Sequence, residues 1–90
     1  MEYVIIITPT GSIMGRVSKM GEEDMTIRNP RSLYNMQNKT TGEVKLGFLE
    51  LIGTPVEMTI PAHSFPVYEP LDPEIISGYV KATTGLYSVN

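Results

Sequence analysis

The first strong signal along the chain is an unbroken β-branched run, Val4 to Thr8. It is too short for a helix and suits a pleated surface, so it predicts a strand. Pro9-Thr10-Gly11 ends it, because proline donates nothing to a ladder and glycine accepts turn dihedrals. The chain returns through Ile13 to Met20, with Ile13, Gly15 and Val17 on one face and Met14, Arg16 and Ser18 on the other. Gly15 falls mid-strand on the apolar face, where a missing side chain marks a sharp bend or a close backbone approach. Gly21-Glu22-Glu23 makes a second turn. Asp24 to Asn29 then alternates, with Met25 and Ile27 inward and Asp24, Thr26 and Arg28 outward. This bent meander predicts the opening of a small barrel rather than of an open sandwich.

Further on, Asn29 to Tyr34 begins as a turn with room to resume as strand, and the polar stretch Asn35 to Gly42 reads as an exposed hairpin loop. Glu43 to Ile52 is the next expected strand. Val44, Leu46 and Phe48 alternate with polar or small residues, and then the parity flips to Leu49 and Leu51, which predicts a bulge near Gly47 to Leu49. After a turn at Gly53-Thr54-Pro55, Val56 to Ile60 reads as a half-buried strand. Pro61 to Ser64 interrupts it, and Phe65 to Glu69 follows as a short strand that Pro66 confines to an edge. Such an edge invites pairing with another chain, and two edges on one small barrel allow a closed ring. Asp72-Pro73-Glu74 is a helix start, with an N-cap, a first-turn proline and an acid at the positive end of the dipole. Ile75, Ile76, Tyr79 and Val80 form one stripe, so a helix over about 73–82 is expected, capping one mouth of the barrel, with Thr83-Thr84-Gly85 as its end.

Ninety residues make one domain, spanning 1–90, with a small core and a small stability margin. With no cysteine there is neither a disulfide nor a thiolate metal site, which fits a reducing compartment. A hydrophobic share of 41% excludes wholesale disorder. No apolar run approaches the roughly 20 residues of a membrane span. The opening MEYVIII carries an acid and no basic region, so no secretory signal is expected. The net charge of −3 argues against a broad basic surface for duplex binding, yet leaves room for a local single-strand site built on stacking.

Catalytic signatures are absent: one histidine, no phosphate loop and no metal-ligand spacing. His63 beside Ser64 lacks a third, orienting group, and adjacency in sequence is the wrong geometry for a nucleophile and its base. No catalytic residue, cofactor or metal is therefore expected. Glu22-Glu23-Asp24 reads as a solvated turn.

Gly15-x-Val17, a turn, and then Asp24-Met25-Thr26-Ile27 resembles the first half of the Sm (LSm) signature, with Thr26 standing where that family has asparagine. A strand ending at Ile60, a turn over Pro61 to Ser64 and a strand from Phe65 is similar to the second half. The resemblance covers residues 3 to 69 and is nearest to the Sm-like proteins of bacteriophages. It implies a mainly β fold, a strongly bent five-stranded SH3-like barrel, here with a short C-terminal helix. It also implies a homo-oligomeric ring of about five to seven subunits joined through edge strands. Ring members of the family bind single-stranded RNA near the pore through the two turns. Carried over by position, the candidates are Met25 and Thr26 on the first turn and Ala62, His63 and Ser64 on the second. His63 would stack on a base of RNA or DNA, Thr26 and Ser64 would hydrogen-bond its edge, and Arg28 and Arg31 would meet phosphates. Tyr34, Tyr68 and Tyr87 are further stacking candidates. The expected setting is the cytoplasm, of a host cell if the chain is phage-encoded. Each residue also has a plain reading: Met25 as core, Thr26 as an ordinary strand threonine, His63 as a solvated turn residue, the arginines paired with Asp24 or Glu50. A second function stays open, a protein-interaction or phage assembly module on the same barrel with no nucleic acid bound.

Overall fold

The computed structural model describes residues 1–84. It is mainly β: β1 (Tyr3–Thr8), β2 (Gly11–Met20), β3 (Asp24–Gln37), β4 (Val44–Glu50), β5 (Glu57–Pro61) and β6 (Val67–Tyr68), followed by one helix, α1 (Pro73–Thr84). The strands form one antiparallel sheet in the order β4-β3-β2-β1-β6, and β5 pairs with β3 off that path.

The long strand β3 is the spine. Its first part pairs with β5, from Asp24↔Pro61 to Arg28↔Glu57, and its second with β4, from Arg31↔Glu50 to Gln37↔Val44. The handover falls at Asn29-Pro30, where the sequence suggests a turn. The strand instead bends and continues. Proline has no N–H to give a ladder, and Asn29 adopts a φ of 49°, outside the strand region. On the other side of β3 the register passes from Arg16↔Arg28 to Met14↔Arg31, so Asn29 and Pro30 together oppose Gly15 alone. Two residues against one is a bulge, and bulges bend sheets. Gly15 allows the close approach: a Cβ there would lie 2.7 Å from Ile27 Cδ1.

Two apolar clusters result, one on each face of the sheet. Val4, Ile6, Met25, Ile27 and Ile60 are buried on one side, flanked by Ile13, Val17, Met58, Phe65 and Val67. Ile5, Met14 and Tyr79 are buried on the other, with Tyr3, Leu33, Phe48, Ile75, Ile76 and Val80 around them. This explains why β1 is apolar without alternation, since both its faces are covered. Tyr79 meets Tyr3 and Phe48 edge-on, with ring centroids 5.7 and 6.1 Å away. Its hydroxyl lies 2.9 Å from the Arg28 carbonyl and 2.8 Å from that of Asn29, donating to the two oxygens at the bend. Asp72 Oδ1 accepts from the Glu74 N–H at 2.9 Å, which makes it the N-cap of α1.

Four expectations are corrected. The sheet has six strands, not five, and among the described residues no ladder joins β6 to β4 or β5, so its hydrogen bonding does not close into a barrel. The helix lies against a sheet face over Met14 and Ile5 instead of capping a mouth, because Tyr79 reaches the bend. The β3–β4 ladder runs without a register shift, so no bulge sits near Gly47 to Leu49. Phe48 turns to the helix, whereas Leu49, 53% exposed, faces away from it, which is why the parity flips without a bulge. Last, the strand expected over Phe65 to Glu69 shrinks to two residues beside Pro66, whose carbonyl still accepts from the Ile7 N–H at 2.9 Å.

Candidate functional site

The β2–β3 turn and the β5–β6 connector meet at one end of the sheet. Gly21 N–H donates to the Asp24 carbonyl at 2.8 Å, which closes the first turn, and Ala62 N–H donates to the Glu23 carbonyl at 2.9 Å, which ties the connector to it. Between them opens a cleft of about 390 Å³, lined by Met1, Met20, Gly21, Met25, Ile60, Pro61, Ala62, His63, Phe65 and Val67. Its wall is apolar and rich in thioethers, a lining that adapts to the shape of what it holds.

His63 sits on the rim in a tight turn. Ser64 Oγ donates to the Pro61 carbonyl at 2.6 Å, and the Ser64 N–H approaches the same oxygen at 3.4 Å. Within that turn His63 takes a φ of 67°. Glycine ordinarily fills such a position, and a residue with a Cβ there costs on the order of 1 kcal/mol.

Three of the seven sequence candidates converge: Met25 on the cleft floor, Ala62 and His63 at its edge. The other four do not present free groups to it. Thr26 alternates to the opposite face, and its hydroxyl shares a 2.9 Å hydrogen bond with that of Thr59. Arg28 Nε lies 3.8 Å from a Glu57 carboxylate oxygen. Arg31, half-buried, lies 4.0 Å from Glu50 and donates to the Pro30 carbonyl at 3.0 Å. Ser64 turns its hydroxyl inward to Pro61. Tyr34 lies over Gly47, Tyr68 is exposed on β6, and Tyr87, like Gly85, lies outside the described residues. Sequence reasoning missed Met20, Phe65 and Val67 as cleft residues. Met20 had a signal, an apolar residue at the mouth of a glycine turn on the outward parity of β2.

Among the described residues, no three His, Asp or Glu side chains gather as a metal site requires. Among the described residues, burial pushes the phenol of Tyr79, which belongs to the other apolar cluster, from 10.0 up to about 12. Among the described residues, no helix is long and apolar enough to cross a membrane. No protein-family model matches the chain, and no curated protein matches it.

Proposed function

We propose that this chain is a non-catalytic binding protein of Sm-like design, whose bent, unclosed sheet is a variant of the small SH3-like barrel and takes single-stranded nucleic acid, RNA in the first instance, at the Met25–Ala62–His63 cleft. The observation that carries this reading is the convergence of those residues around an apolar hollow with an exposed, conformationally strained histidine on its rim. Strain of that kind concentrates at ligand sites. An imidazole over a methionine-lined floor offers a base a face to stack on. The paired state of Arg28 and Arg31 supports few phosphate contacts, so binding would depend weakly on salt. Assembly into a homo-oligomeric ring through the outer edges of β4 and β6 belongs to the same proposal; among the described residues both strands have one pairing side free.

The test is fluorescence anisotropy with short oligo-U, oligo-A and matching DNA over a salt series. Micromolar binding that His63→Ala abolishes supports the reading. Absence of binding at low salt for every oligomer refutes it and leaves the second reading, an assembly module. One observation favours that second reading: Leu49, Ile52 and Val56 are aliphatic side chains left in water on one short stretch of surface.

A further inference from the structure

The cleft gathers soft donor atoms. Three of the chain's six methionines, Met1, Met20 and Met25, line it together with the only histidine, His63. Backbone register explains the gathering. Met20 and Met25 are paired residues on β2 and β3, and the irregularity between Val17 and Lys19 turns Met20 from the outward parity of β2 to the side of Met25. Side chains so paired have Cβ atoms about 5 Å apart. Each sulfur lies two bonds beyond its Cβ, so both thioethers can converge on one ion. His63 is brought to them by its neighbour Ala62, whose N–H donates to the Glu23 carbonyl at 2.9 Å and ties the β5–β6 connector to the turn between the two methionine strands. Ser64 fixes the turn behind it through the Pro61 carbonyl. Among the described residues, no hydrogen bond or ion pair occupies the imidazole, so a ring nitrogen keeps its lone pair for a ligand.

We infer that Met20, Met25 and His63 bind a soft monovalent cation, Cu(I), with the Met1 thioether as a further donor at the mouth. The choice of ion follows from what the cleft offers and what it lacks. Thioether sulfur is neutral and polarisable, a poor ligand for hard ions and a good one for Cu(I), which imidazole also suits. No aspartate or glutamate lines the cleft, so Ca²⁺ and Mg²⁺ find no oxygen cage there. With no cysteine in the chain, Zn²⁺ lacks a thiolate. One positive charge among neutral donors is also less costly to hold beside apolar walls than two. Ile60, Phe65 and Val67 supply those walls. Met1 and Met20, 63% and 55% exposed, leave a path for the ion to enter. The metal site and the nucleic-acid reading share a histidine, but neither depends on the other.

Silver(I), which has the charge and softness of Cu(I) and does not change oxidation state, is the probe. In chloride-free buffer, calorimetry of the full chain with silver nitrate gives one ion per chain at micromolar affinity or tighter. Met20→Leu and His63→Ala each weaken it at least tenfold, and Met36→Leu, on the far part of β3, leaves it unchanged. Met20→Leu replaces an exposed side chain at nearly constant volume, so the fold is kept. With the methionine methyl groups labelled with carbon-13, the first equivalent of silver shifts the Met1, Met20 and Met25 signals and leaves those of Met14, Met36 and Met58 in place. X-ray absorption of the chain loaded anaerobically with one equivalent of Cu(I) shows sulfur and nitrogen neighbours. The inference is overturned by silver affinity that Met20→Leu and His63→Ala leave intact, by shifts spread over all the methionine methyls, or by a copper shell of nitrogen and oxygen alone. Titration without oligonucleotide reads the metal site by itself, so its failure leaves the nucleic-acid reading standing.

Discussion

Tyr79→Phe tests how the helix and the bent sheet hold each other. The substitution keeps the ring, which is 2% exposed and packs against Tyr3 and Phe48, and removes only the hydroxyl. That hydroxyl serves the Arg28 and Asn29 carbonyls, at 2.9 and 2.8 Å, where β3 changes partners. A buried acceptor left without its donor costs about 1–3 kcal/mol. For a domain of this size each kcal/mol lowers Tm by about 4–8 °C, so the variant should melt roughly 4–24 °C below its parent at pH 7. Alkaline behaviour gives a second readout. Burial raises the phenol from 10.0 to about 12. Below pH 10 both folded and unfolded chains keep this proton, and the contribution is fully present. Between pH 10 and 12 the unfolded chain releases the proton and the folded chain holds it, so stability falls as pH rises. Two pKa steps correspond to about 2–3 kcal/mol. Urea denaturation followed by circular dichroism at pH 7, 9.5 and 11.5 measures both effects. Parent and variant differ in this one ionisable group, so the difference between their alkaline losses reports Tyr79. Equal stability at pH 7 together with equal alkaline losses would refute the reasoning.

Gly15→Ala should destabilise the fold by about 1–3 kcal/mol in urea titration, because its Cβ would lie 2.7 Å from Ile27 Cδ1 and 2.9 Å from Ile27 Cβ, inside a cluster with no room; a change under about 0.5 kcal/mol contradicts the tight crossing. His63→Gly should raise stability slightly, by about 0.5 kcal/mol, since glycine adopts the observed φ of 67° freely but is costlier to order. The same substitution should weaken oligonucleotide binding in the anisotropy assay. Binding that survives it unchanged would show that the imidazole makes no contact.

Much of the β architecture was legible because its signals are local. The run Val4 to Thr8, the Pro9-Thr10-Gly11 break and the alternation of Met25 with Ile27 each point to one backbone state, and the structure has them as β1, a turn and the start of β3. The Asp72-Pro73 helix start needed no tertiary information either. What was not legible depends on partners remote in sequence. Met14 falls on the polar parity of β2, yet it is fully buried because α1 arrives from more than fifty residues away to cover it. Asn29-Pro30 carries turn chemistry, but the Asn29 N–H donates to the Val56 carbonyl and the Asn29 carbonyl accepts from the Tyr79 hydroxyl, which hold it within a continuous strand. The candidate site divided along the same line. Met25, Ala62 and His63 meet because two turns abut, whereas Thr26 and Arg28 are engaged by Thr59 and Glu57, which sequence spacing alone does not position, and Arg31 takes the Glu50 partner that its plain reading named.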